Sequence, residues 1–254
     1  MKTFCFPHIP VCRVLLLASF LIVSASAPIR GADRPSRVRL FNGKDLTGWR
    51  KPAGDWMAVK GVSLDAADAK KFAIEKGEGV LLNGAKGQTV NLLSEPEHGD
   101  IEAHLEFVIP KGSNSGIYFQ GRYEIQVYDS FGVAKDKYPG IECGGIYPRW
   151  TEKQGEFEGH SPRVNASKAP GEWQSFDVIF RAPRFDAAGK KVRNACFVKV
   201  THNGKVIHEN IELTGPTRAA QWENDEKATG PLMLQGDHGP VAYRNLQLKP
   251  INLK

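Results

Sequence analysis

Covalent bracing is scarce in this sequence. Four cysteines in 254 residues are too few for the disulfide frameworks that hold small secreted domains together. Helical patterning is missing too: apolar residues nowhere keep the 3.6-residue spacing of an amphipathic helix, and there is no internal repeat. A single apolar run is long enough to interest a membrane, and it reaches ten residues (VLLLASFLIV) where a spanning helix needs about 20. The formal charge is +6, from 34 basic and 28 acidic residues, but the excess is scattered. No aromatic-basic platform accompanies it, so nucleic acid is not an expected partner.

Turn-forming residues are what the chain has in excess. Gly 26 and Pro 16 make about 17% of the chain against a usual ~12%. With 41% hydrophobic and 24% charged residues, this is a globular composition built of short strands and many turns.

The N-terminus has the three-part layout of a secretory signal. Lys2 and Arg13 supply positive charge, Val14–Val23 the apolar core, and Ser24-Ala25-Ser26-Ala27 the small-residue cleavage region. Loss of residues 1–27 removes two basic residues and leaves a net charge of +4. Cys143 and Cys196 then remain, as one disulfide or as two buried thiols. Residues 28–37 (PIRGADRPSR) form an exposed linker, and residues 38–254 one all-β domain. The mature chain is expected to be secreted or periplasmic, with no stable membrane span.

From Val38 onward apolar residues recur at period 2, the strand signature. Ile101, Ala103, Leu105 and Phe107 alternate with Glu102, His104 and Glu106. Ile117 and Phe119 alternate with Tyr118 and Gln120. Gly121-Arg122 is expected to reverse the chain into Tyr123, Ile125 and Val127, alternating with Glu124, Gln126 and Tyr128. Further strands are expected at Phe176–Phe180, Cys196–Thr201, Val206–Ile211, Leu232–Gln235 and Val241–Leu248, with an Asn203-Gly204 hairpin turn. A dozen short strands in one domain fit an antiparallel β-sandwich or jelly roll.

The three strands between Asp100 and Asp129 each pair an apolar face with a polar one. The face opposite the apolar one is expected to carry Glu102, His104, Glu106, Tyr118, Gln120, Glu124, Gln126 and Tyr128 together. Antiparallel sheets commonly leave such a face to solvent. Carboxylates, amides, an imidazole and phenols are, however, the groups that bind sugar hydroxyls and stack on sugar rings. Glu124-Ile125-Gln126-Val127-Tyr128-Asp129 is also similar to the single-strand motif of laminarinase-like retaining glycosidases, which need two carboxyls ~5–5.5 Å apart. Gln126 stands where those enzymes carry a carboxylate, and Asp129 falls on the opposite side of the strand from Glu124.

Longer segments resemble one family. Leu40-Phe41-Asn42-Gly43-Lys44-Asp45-Leu46-Thr47-Gly48-Trp49 is similar to the opening motif of the 3-keto-disaccharide hydrolase domain family. Asn114-Ser115-Gly116-Ile117-Tyr118-Phe119 and Gly121-Arg122-Tyr123-Glu124-Ile125-Gln126-Val127-Tyr128-Asp129-Ser130 resemble its central signature. Cys143–Tyr147 and Pro170–Gln174 match further segments, and Leu234-Gln235-Gly236-Asp237-His238-Gly239-Pro240 the closing one. The resemblance, over about residues 38–250, implies a concanavalin A-like jelly roll exported by a polysaccharide-degrading bacterium. It implies as substrate an oxidised glycoside, with a ketone at C3.

A C3 ketone acidifies the C2 proton, so a base can form an enolate and the C1 substituent can leave by β-elimination. Hydration of the alkene then completes a net hydrolysis. Such chemistry needs a base near C2, donors at O3 and an acid at the leaving oxygen. His238 is the base candidate, with Asp237 beside it, and Glu124 the acid/base. Substrate-binding candidates are Gln126, Arg122 (at the ketone oxygen), Tyr118, Gln120, Gln235, His104, Glu106 and Trp150. Asp129 reads as a loop anchor. No cofactor is demanded, and no compact ligand motif is present. A divalent metal on some of His104, Glu124, Asp129 and His238 stays open, as does oligomeric state. The polar stretch Trp150–Gly171 is a candidate lid. The alternative is a non-catalytic carbohydrate-binding domain; a laminarinase-like hydrolase is a third reading. N-terminal sequencing of the exported protein is expected to start at Ser26 or Pro28; a start at Met1 would mean the segment is retained.

Overall fold

The computed structural model describes residues 1–4, 36–134 and 142–254. The apolar run Val14–Val23, its cleavage region, Cys5, Cys12 and residues 28–35 of the expected linker lie outside the described residues. The fold belongs to the unit Pro35–Lys254.

Among the described residues there is no helix, and the strands are antiparallel. They are β1 (Val38–Arg39), β2 (Met57–Leu64), β3 (Phe72–Leu82), β4 (Leu92–His98), β5 (Ile101–Val108), β6 (Asn114–Phe119), β7 (Tyr123–Tyr128) and β8 (Arg149–Thr151). Then follow β9 (Gly155–Phe157), β10 (Gln174–Arg181), β11 (Arg184–Phe185), β12 (Lys191–Arg193), β13 (Ala195–His202), β14 (Lys205–Leu213), β15 (Gly230–Leu234) and β16 (Ala242–Pro250). The larger sheet runs β14-β13-β10-β5-β16-β3-β2, with β1 paired to β16; the smaller runs β4-β15-β6-β7. β8–β9 and β11–β12 are separate hairpins.

The expected alternation sends Ile101, Leu105 and Phe107 of one sheet, and Ile117, Phe119, Ile125 and Val127 of the other, into a shared core. Phe119 meets Phe180 and Phe197 across the sandwich, each at 5.3 Å between ring centroids. Each such side chain contributes roughly 1.5–3 kcal/mol by leaving water. This is the jelly-roll sandwich that the composition and periodicity suggest, and the Asn203-Gly204 turn has the positive φ angles of a hairpin.

One expectation fails here. β5 and β6 are consecutive but belong to different sheets, because Pro110-Lys111-Gly112 carries the chain across the sandwich. Gly112 takes φ +70° there, and its N–H donates to Asp129 at 2.8 Å. Both strands still point their apolar residues inward, so their polar faces look in opposite directions. Glu102, His104 and Glu106 are therefore on the far side from Tyr118, Glu124 and Gln126.

Cys143 and Cys196 are buried free thiols, and burial pushes Cys143 up to about 12. Three histidines are structural. His98 packs edge-on against Phe119 and Phe180; its Nδ1–H donates to the Gly99 carbonyl and its Nε2 accepts from the Gln120 amide. His202 stacks on Phe107 and lies tilted against Phe176, and His208 donates to the Gly144 carbonyl at 2.7 Å. Burial holds them neutral, lowering His98 and His208 to about 4 and His202 to about 3.

A lowered histidine pKa stabilises the fold fully above the unfolded value of ~6.5, and that stability is lost as pH falls toward the folded value. Each such histidine costs roughly 1.4 kcal/mol per pH unit in that window. Buried Glu124, raised to about 8, acts in the opposite sense between its unfolded pKa and 8. Three histidines outweigh it. Thermal denaturation is expected to show Tm falling steeply from pH 6.5 to 4.5, and the fall should be shallower in His202→Gln.

Candidate active site

The outward face of the smaller sheet is ordered in rows. Register places Tyr118 opposite Glu124, Gly116 opposite Gln126 and Asn114 opposite Tyr128; Met233 of β15 stands opposite Tyr118 and Leu93 of β4 opposite Met233. The β6–β7 hairpin turns at Gln120-Gly121, with φ of 55° and 65°, one residue earlier than expected. Gln120 is held in that left-handed conformation by its side-chain amide, which donates to the carbonyls of His98 and Ala228.

A pocket of about 60 Å³ opens on this face. Asn114 and Tyr118 of β6 and Glu124 and Gln126 of β7 form its floor; Tyr147, Ala219, Gln235 and His238 form its walls. The Glu124 side chain lies flat over β6 because residue 116 is glycine. A Cβ there would overlap the Glu124 carboxylate and approach the Tyr118 ring to 2.8 Å. Glu124 is 2% exposed. Its carboxyl is raised to about 8, first by burial and then by the charge of Asp237, against a hydrogen bond from the Tyr118 hydroxyl. Burial first, then the neighbouring Glu124 carboxyl, push Tyr118 well above the usual phenol range. Gln126 donates to Asn114 Oδ1 at 3.0 Å, which fixes both amides. Tyr147 arrives on an extended segment added beyond β7, through Gly144 N–H to the Gln126 carbonyl and Gln126 N–H to the Gly145 carbonyl, both 2.8 Å.

The closing loop brings in the imidazole. His238 Nδ1 lies 2.6 Å from Asp237 Oδ1. A carboxylate only accepts, so Nδ1 carries the proton, and in the neutral ring Nε2 is the basic nitrogen. Both side chains are about half exposed. The loop is fixed from behind by Asn83, which is fully buried. Asn83 Nδ2 donates to the carbonyls of Gly236 and Gly239 at 3.1 and 2.8 Å, and its Oδ1 accepts from Val241 N–H at 2.8 Å. Ser113 Oγ donates to the Pro240 carbonyl at 2.7 Å.

Of the candidate residues, His238, Asp237, Glu124, Gln126, Tyr118 and Gln235 are brought together. The others are not. Arg122 is buried in the hairpin turn, donating to the carbonyls of Asp225 and Gln120, under the ring of Trp222 at 4.9 Å. It lines a neighbouring cavity, so its guanidinium does not reach a ketone in the Glu124 pocket. Gln120 is spent on the turn. His104 and Glu106 lie on the larger sheet: His104 Nδ1–H donates to Asp177 at 2.7 Å, and Glu106 accepts from Arg244 and Asn245 at 2.6 and 2.7 Å. Trp150 is exposed on the β8–β9 hairpin beside Arg218. The Trp150–Gly171 stretch forms that hairpin and then follows β14, where Arg163 N–H reaches the Ile207 carbonyl. The pocket's wall on that side comes instead from residues 214–229, through Ala219. Asp129 anchors the Gly112 and Phe131 amides, and among the described residues no cluster of three or more His, Cys, Asp or Glu has metal-site geometry.

A polar pocket on the face of an all-β sandwich, with a buried acid beside a carboxylate–imidazole pair, is the kind of site carbohydrate-active proteins carry. Residues 36–249 match the 3-keto-α-glucoside-1,2-lyase-like domain, and the chain belongs to that family. A solved structure of a candidate glycosyl hydrolase from Parabacteroides distasonis is 28% identical, with 85% of this chain and 84% of that one covered and a TM-score of 0.59. A second candidate glycosyl hydrolase from the same organism is 19% identical, with 85% and 100% covered and a TM-score of 0.56. No curated protein sequence matches. Family and neighbours together support a carbohydrate-active function.

Asn83 was not legible as part of the site, since an Asn-Gly pair reads as a simple turn. Asn83→Ala removes three buried hydrogen bonds and is expected to cost roughly 2–4 kcal/mol. Hydrogen exchange should accelerate at Val241 and its neighbours while the β6–β7 amides stay protected; uniform acceleration would contradict the assigned role.

Proposed function

We propose that this chain is an exported enzyme that cleaves 3-keto-glycosides by C2 proton abstraction, β-elimination and hydration. The observation that carries the reading is one pocket holding a carboxyl raised to about 8 and an imidazole paired to a carboxylate. Glu124 keeps its proton through burial, and His238 donates Nδ1–H to Asp237 and so turns Nε2 to the pocket as an acceptor; an acid and a base thus meet in one site.

His238 Nε2 takes the C2 proton, and the C2–H electrons move into the enolate with charge on O3. Collapse of the enolate breaks the C1–O bond, and Glu124 gives its proton to the leaving oxygen. Water then adds across C1=C2: the Glu124 carboxylate takes a proton from the water as its oxygen bonds to C1, and His238 returns a proton to C2, which restores both groups. Asp237 accepts from Nδ1–H and holds the imidazole orientation. Gln235 and Tyr147, which line the pocket, are assigned as the neutral donors to O3, in the role expected of Arg122. A pocket of about 60 Å³ admits the reacting edge of a ring rather than a whole sugar.

The same amides and phenols would also serve a binding domain, so the test has to separate turnover from affinity. With a 3-keto-disaccharide in deuterated water, the wild-type protein should cleave the glycoside and exchange the C2 proton. His238→Ala should lose roughly 10²–10⁴-fold in kcat with KM little changed. The kcat/KM profile should fall above pH 8, and Glu124→Gln should lose that alkaline limb with most of the rate. Binding without cleavage or exchange would leave only the lectin-like reading. Cleavage of unoxidised glucans would instead favour the laminarinase-like one.

A further inference from the structure

A second cavity, of about 520 Å³, opens beside the first and has no part in the chemistry just described. Its lining includes Arg50, Glu97, Arg122, Trp222, Asp225 and Thr229. Strand register relates the two. Glu97 stands opposite Pro231, and Pro231 precedes Met233 by two positions on β15, across a register shift in the β4–β15 pairing. Met233 stands opposite Tyr118, and Tyr118 opposite Glu124. Along β15, Pro231 thus lies about 7 Å from Met233 of the row Met233–Tyr118–Glu124, and Glu97 flanks it on β4. Gln235 and the His238 loop lie on the other side of the Glu124 row. The order along the face is base, acid, second cavity.

The segment 214–229 walls both cavities, giving Ala219 to the first and Trp222 and Asp225 to the second. It is pinned to the hairpin turn: Thr217 N–H donates to the Arg122 carbonyl at 2.9 Å and Gln221 N–H to the Gly121 carbonyl at 3.0 Å. At the far wall Glu97 accepts from Arg50 and from Thr229, both at 2.9 Å. That ion pair stays 32% and 45% exposed, so a hydroxyl pair can reach it. A partly buried indole, with Arg122 against its ring, in a cavity that also holds a carboxylate and a second guanidinium, gives the donor–acceptor–aromatic set that recognises a pyranose.

We propose that this second cavity is a sugar subsite for the leaving group, contiguous with the Glu124 pocket. The inference rests on the proposed reaction and deepens it. Because the acid lies between base and cavity, the sugar expelled from C1 is the one that falls in the cavity. With the oxidised ring at His238, the unoxidised hexose of a 3-keto-disaccharide then lies between Trp222 and Arg50–Glu97.

Wild type, Arg50→Ala and Trp222→Ala should be compared on a 3-keto-disaccharide and on methyl 3-keto-glucoside, which has no leaving sugar. Arg50 contacts Glu97 at the rim, so its variant guards against misfolding of Trp222→Ala. Loss of one or two such contacts predicts a fall of roughly tenfold in kcat/KM for the disaccharide, with the methyl glycoside unchanged. Equal losses on both substrates, or no loss in either variant, would overturn the subsite. If wild type turns over neither substrate, the reaction is refuted and the subsite is judged by titration with an unoxidised glucose disaccharide. Binding weakened about tenfold by Arg50→Ala supports it, and no binding by wild type overturns it.

Discussion

The site depends on one packing constraint: the Glu124 carboxyl lies over the backbone of β6, where Gly116 leaves room for it. There it is out of water, hydrogen-bonded by Tyr118 and exposed to the charge of Asp237. A carboxyl in those surroundings holds its proton at neutral pH. That state follows from which strands lie side by side, since Tyr118 and Gly116 reach Glu124 only through the β6–β7 register. The rest of the smaller sheet preserves the arrangement. Tyr147 enters on the segment added beyond β7, Gln126 is tied to Asn114, and Asn83 fixes the loop that carries Asp237 and His238.

The sandwich behind this face has a different task. Its two sheets share an aromatic core, and His98, His202 and His208 are kept neutral inside it by burial. These imidazoles hold turns and added strands in place: His98 supports the Gln120 turn and His208 the Gly144 carbonyl. Their contribution vanishes in mild acid, while Glu124 becomes less costly to bury there. Fold and site therefore respond to pH in opposite directions, a common tension where a functional group is held in an unfavourable charge environment.

Period-2 alternation made the fold class readable, and inward residues from Ile101 to Val127 are placed as that pattern requires. The pattern cannot say which sheet a strand joins. His104 and Glu106 alternate just as Glu124 and Gln126 do, yet the crossing at Pro110-Lys111-Gly112 puts them on the opposite side. Arg122 misled for a related reason: its position next to Glu124 in sequence hides a turn that buries its guanidinium against Asp225 and Trp222. His238 and Asp237 were visible because the closing motif is local. Asn83, about 150 residues earlier, joins them only through folding. Ala219 offered no chemical signal at all, being a wall supplied by backbone position.

The protonation state of Glu124 is the quantity on which this account turns, and it can be read directly. Carbon-13 NMR of protein labelled at glutamate Cδ, followed from pH 4 to 10 with Glu124→Gln to assign the resonance, measures its titration. The account predicts a carboxyl that titrates near 8, with the midpoint falling when Asp237→Asn removes the neighbouring charge. A midpoint in the ordinary carboxylate range near 4.5, indifferent to Asp237, would contradict it.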